Sequence, residues 1–231
     1  MTVRPERPAE APDTRPDPQV LLAGDAVERT SAPAKRSLRI ATWNIEWFDA
    51  LFDDDGRLLE DDERSRHYDV TRREQLAAIG IVMTAIDADV LLVVEAPNQG
   101  RKRSTVRALN NFATACGLRT SQALMGFESQ TEQELALLYD PGRVTAVHDP
   151  QGEPTGKKGA LDAPRFDGVF RIHLDLDGIA DSVVFARPPL EVLLTPNGAA
   201  PFRLIGVHAK SKAPHGARSP KEAMRLGVEN R

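Results

Sequence analysis

The chain has 231 residues, enough for one full-sized domain, with 41% hydrophobic, 28% charged and only 5% aromatic residues. Lys+Arg 30 against Asp+Glu 34 gives a net charge of −4, which offers no global electrostatic attraction to nucleic acid. One cysteine, Cys116, excludes an intramolecular disulfide framework, and no apolar run reaches the ~20 residues that span a bilayer. The charged, proline-rich start lacks the apolar core of a secretory signal, so a cytoplasmic location is expected.

Residues 1–36 hold six prolines among Arg, Glu, Asp and Ala and read as a disordered leader. The folded pattern starts near residue 37. Residues 38–44 alternate well enough for a strand ending in Asn44. Residues 49–63 carry eight acids against Arg57 and read as a solvated loop. Residues 70–86 place Leu76, Ile79, Ile81, Val82 and Ile86 at helical spacing, with Thr71 as N-cap. Residues 90–94 are continuously apolar, the mark of a strand covered on both faces, and residues 101–115 read as a helix after a basic start.

The second half is strand-rich, with expected strands at 135–139, 143–147, 169–176 and 183–185. Residues 190–195 and 202–208 flank Pro196-Asn197-Gly198, whose Asn-Gly pair favours a tight hairpin that delivers His208 at its end. Residues 220–231 start a helix with Ala223, Met224 and Val228 on its apolar side. A layered α/β domain is the expected class.

Asn44 and Glu95 each end or closely follow an apolar strand. If those strands are neighbours, an amide and a carboxylate oxygen share one crevice and suit Mg²⁺ or Mn²⁺. The plainer alternative makes Asn44 a strand end and Glu95 a helix cap. Lys210 and Lys212, beside His208, would disfavour its protonated form and could meet an anionic substrate. Arg187 precedes Pro188-Pro189, a stiff lead into the hairpin that would hold its guanidinium. The cluster Arg101, Lys102, Arg103 and Arg107 could touch phosphates, though a solvated face is the commoner meaning.

Other chemistries fail on spacing. Asp53, Asp55, Gly56 and Asp62 imitate part of a calcium loop, but its first ligand would be Leu51. Gly156-Lys157-Lys158 lacks the earlier glycine and strand of a phosphate-binding loop, and no Ser/His/Asp or Cys/His hydrolase signature is present.

Five segments in order resemble the endonuclease/exonuclease/phosphatase superfamily, which includes pancreatic-type deoxyribonuclease. They are Leu38-Arg39-Ile40-Ala41-Thr42-Trp43-Asn44-Ile45, Ala88-Asp89-Val90-Leu91-Leu92-Val93-Val94-Glu95, Glu134-Leu135-Ala136-Leu137-Leu138-Tyr139-Asp140-Pro141, Phe185-Ala186-Arg187-Pro188-Pro189-Leu190, and Phe202 through His208. The resemblance implies a four-layer α/β sandwich with two mixed sheets flanked by helices, and metal-dependent phosphoester hydrolysis. It implies Asn44 and Glu95 at the metal, Arg187 at substrate phosphate and His208 at the scissile phosphate. A carboxylate usually assists that histidine, and Glu134 is the nearest candidate.

The family's Gly-Asp-x-Asn motif, later Asp and terminal Asp-His pair do not occur, and only 23 residues follow His208. Residues 37–231 are therefore expected to be the N-terminal part of such a domain, an incomplete sandwich truncated before its later catalytic motifs. The expected function is a Mg²⁺- or Mn²⁺-dependent nuclease or phosphodiesterase, with DNA or RNA as possible substrate. The alternatives are an inactive fragment, or a phosphatase or phospholipase acting on small or lipid phosphoesters. Loss of later strands would uncover residues 90–94, so poor solubility or need of a partner is expected.

Overall fold

The computed structural model describes residues 37–66, 69–129, 133–151, 187–209 and 217–229. The leader, the expected strands at 169–176 and 183–185, and Lys210 and Lys212 lie outside them. Among the described residues, no helix is long and apolar enough to cross a membrane.

Strand β1 (Ile40–Asn44) leads through a 3-10 turn (Phe48–Leu51) to helix α1 (Arg72–Ile86). Thr71 caps α1 as the sequence suggests. Its hydroxyl accepts the Glu74 amide, and the Glu74 carboxylate accepts the Thr71 amide in return. Strand β2 (Val90–Ala96) pairs parallel to β1, with Asn44 opposite Val94. The intervening α1 supplies the crossover that a parallel pair requires. Helix α2 (Thr105–Ala115), capped by Ser104, and strand β3 (Gln122–Met125) follow. Strand β4 (Glu134–Tyr139) runs antiparallel between β2 and β3, completing a sheet of order β1-β2-β4-β3.

A second sheet joins β5 (Val144–His148), β6 (Leu190–Pro196) and β7 (Phe202–Gly206), all antiparallel. The hairpin turns at Asn197-Gly198, where Gly198 takes φ +75°, a region open to glycine at little cost. Helix α3 (Pro220–Glu229) ends the described residues. The architecture is mixed α/β with two sheets, of four and three strands.

The alternation of β2 divides the core. Leu91 and Val93 pack with Leu76 and Ile79 of α1 and with Leu109 and Phe112 of α2. Val90, Leu92 and Val94 pack against Val144, Leu190, Val192 and Leu194 of the second sheet. Both faces of β2 are therefore covered, as its continuous apolar run suggests, and the uncovering expected from loss of later strands is not seen at residues 90–94.

The acidic segment is also less free than its charge suggests. Phe48, Leu51 and Phe52 are at most 2% exposed, and Phe48 meets both Phe52 and Phe112 edge to face. Its carbonyls are held by Arg103, which donates to the backbone oxygens of Asp49, Phe52 and Asp53 and pairs with the Asp49 carboxylate. Arg103 is thus spent on loop structure. Lys102 pairs with Asp54 at the surface.

At the opposite end of the first sheet, Asp89 is fully buried. Burial pushes its carboxyl up, but the Arg39 amide, Arg119 and Arg143 together hold it below the usual carboxylate range. Arg119 also pairs with Asp87 and Asp140, which ties the β2 start to the β4 end.

Candidate active site

The central feature is a defect in a ladder. Val94 pairs with Leu135 and Ala96 with Glu134, so Glu95 is the extra residue of a β-bulge. Its φ of +62° is a left-handed conformation that non-glycine residues rarely hold. The bulge gives Ala96 the next place in the helix-side core and leaves Glu95 outside the pairing. Asn44 ends the neighbouring parallel strand, and its Nδ2 donates to Glu95 Oε1 at 3.2 Å. The juxtaposition expected from two polar strand ends is present.

Two further segments converge there. Gln133, just before β4, donates from Nε2 to Glu95 Oε2 at 2.9 Å and accepts from Arg187 Nη2 through Oε1. His208, two residues beyond β7, places Nε2 3.5 Å from Glu95 Oε1. The strand end that carries it lies close to the first sheet at Gly206. A Cβ there would stand 2.6 Å from Leu92 Cδ1, so a glycine permits the approach. Asn44, Glu95, Gln133, Arg187 and His208 thus form one linked group drawn from both sheets.

Burial pushes the His208 imidazole below its ordinary value, and the Arg187 charge acts the same way, while Glu95 opposes both. Burial also lowers Arg187, whose charge is supported by Glu95 and Glu134. The buried atoms Arg187 Nε and His208 Nδ1 have no hydrogen-bond partner among the described residues. Buried polar atoms left in this way are uncommon and mark places where a ligand or solvent completes the bonding.

The carboxylate beside His208 is Glu95, which departs from the pairing with Glu134 expected from the sequence. Glu134 is fully buried, and its oxygens accept the Ser129 amide at 2.9 Å and the Gln99 amide at 3.4 Å. Burial pushes its carboxyl up to about 7, against the two amide bonds that favour its charge. It anchors the loops after β2 and before β4, and when ionised it supports the charge of Arg187.

A divalent cation placed here would be offered the Glu95 carboxylate and the amide oxygen of Asn44, whose Nδ2 faces Glu95. This fits Mg²⁺, which takes few protein ligands and keeps water or substrate oxygens for the rest. No group of three or more His, Cys, Asp or Glu side chains suited to a metal occurs among the described residues. Gln133 was not identifiable from sequence, since a glutamine ahead of a strand carries no motif. Its position immediately before Glu134 was the only available signal.

No family model, curated protein or solved structure matches the chain.

Proposed function

We propose that this chain is a Mg²⁺- or Mn²⁺-dependent phosphoester hydrolase of the endonuclease/exonuclease/phosphatase type, with a nucleic-acid phosphodiester as its substrate and a four-layer α/β sandwich as its fold. The observation that carries the reading is the linked group itself, a carboxylate and amide beside a half-buried arginine and histidine, each with one buried nitrogen that has no partner among the described residues. Asn44 and Glu95 would hold the cation, which when bound neutralises phosphate charge.

The protein's own part is orientation and proton placement. Arg187, aligned by the Gln133 carbonyl, pairs with a non-bridging phosphate oxygen. Gln133 at the same time fixes Glu95 Oε2. Before substrate arrives, burial and the Arg187 charge disfavour the charged form of His208, against the pull of Glu95. An anionic phosphate beside it favours the imidazolium, so substrate binding draws a proton to His208. Glu134 acts through Arg187 and the two loops it anchors, as a positioning residue.

The test is turnover of plasmid, abasic-site duplex, bis-p-nitrophenyl phosphate and phosphoinositide with Mg²⁺. Hydrolysis of the nucleic-acid substrates that is lost in His208→Ala supports the reading. Turnover confined to phosphoinositide favours a lipid phosphatase. Binding of oligonucleotide without turnover of any substrate identifies a phosphate-binding protein without hydrolase activity.

A further inference from the structure

Next to this group lies a cavity of about 270 Å³, bordered by Trp47, Asp49, Arg66, Glu95 and Gln133. Glu95 and Gln133 belong to both, so the cavity opens directly from the proposed phosphate site. Sites that enclose a whole drug-sized ligand run to roughly 300–1,000 Å³, so this one has room for a single unit of a larger substrate.

Its lining is selective. Trp47 is 43% exposed although the turn it starts buries Phe48 and Leu51 completely. Its φ of +63° is a left-handed conformation unusual for so bulky a residue. An exposed indole at the wall of a cavity offers a flat apolar face. Asp49 is already paired with Arg103, which leaves, among the described lining residues, Glu95 as the negative charge and exposed Arg66 as the cation. A neutral ring suits the interior of such a cavity, with a phosphate left for its cationic edge.

The geometry points to a nucleotide subsite, in which an unstacked base lies on Trp47 while its phosphate reaches Arg187 and His208. Arg66 would meet the next phosphate along the strand. The subsite rests on the phosphoester reading and deepens it, because it requires the substrate to carry bases outside a continuous stack. A single strand or an extruded nucleotide meets that requirement.

The test reads binding by the full chain with Mg²⁺, using a four-nucleotide thymidylate with phosphorothioate linkages and an abasic tetrahydrofuran analogue of equal length. The unmodified chain should bind the thymidylate roughly tenfold more tightly than the abasic strand, the scale of one stacked base. Trp47→Ala should reduce thymidylate binding to the abasic level, and Trp47→Phe should retain most of the preference. Equal affinity of the unmodified chain for the two strands overturns the subsite, whatever the variants do. Base-dependent binding without hydrolysis of any substrate refutes the hydrolase and keeps the subsite. Hydrolysis indifferent to the base does the reverse.

Discussion

His208 Nε2 lies 3.5 Å from Glu95 Oε1, and the two residues are positioned by different sheets. One follows the last strand of the second sheet, and the other is the bulged residue of the first. The candidate site therefore depends on how the sheets pack, and disturbances in the core between them should reach it.

Glu95 holds a left-handed backbone, which costs a side-chain-bearing residue about 1–2 kcal/mol and glycine little. Glu95→Gly should therefore be about 1 kcal/mol more stable than Glu95→Ala in urea unfolding, although both remove the same carboxylate. An alanine variant as stable as the glycine variant would show that the bulge is unstrained.

Gly206 sits against Leu92 where β7 turns toward His208. Gly206→Ala should cost about 1–3 kcal/mol through overpacking and should reduce turnover by moving His208. Adding Leu92→Val should recover part of both losses, because it removes the side-chain length that the new methyl meets. Independent, additive effects in the double-mutant cycle would contradict the contact.

The Glu134 carboxyl is raised from 4.5 to about 7 by burial. A group raised on folding contributes stability below its unfolded value and loses that contribution as pH rises through the folded value. The chain should thus lose about 3 kcal/mol from this group between pH 4.5 and pH 8. Glu134→Gln does not titrate, so its stability relative to the parent should improve by that amount over the same interval. A pH-independent difference between the two in urea titrations would contradict a proton on Glu134.

Arg103 donates to three carbonyls and one carboxylate of the segment after β1, with its side chain only 17% exposed. Arg103→Ala should cost about 3 kcal/mol, since it strands several partners at once. Arg103→Lys should recover less than half, because an ammonium cannot reproduce the fork. A loss within 0.5 kcal/mol for the alanine variant, about the scale of an ordinary surface change, would return Arg103 to the solvated basic face suggested by its neighbours.

Much of this was legible in the sequence. Polar residues ending apolar strands located Asn44 and Glu95, and the Asn-Gly turn located the hairpin before His208. The bulge was not legible, because a two-residue period shows where side chains point but not where a ladder carries an extra residue. Strand β3 was hidden for another reason, since Gln122-Ala123-Leu124-Met125 lacks the β-branched residues that mark strands. The acidic loop misled because charge outnumbers its few apolar residues. Phe48, Leu51 and Phe52 nevertheless decide where the segment goes.

The central claim is that Glu95 and Asn44 hold a divalent cation beside His208. Titration with Mn²⁺, followed through the imidazole proton resonances, tests it without requiring turnover. Comparison with His208→Gln identifies the His208 signals. The account predicts that Mn²⁺ broadens those signals in the unmodified chain and leaves them sharp in Glu95→Gln. Equal broadening in Glu95→Gln, or sharp His208 signals at millimolar Mn²⁺ in the unmodified chain, would contradict it.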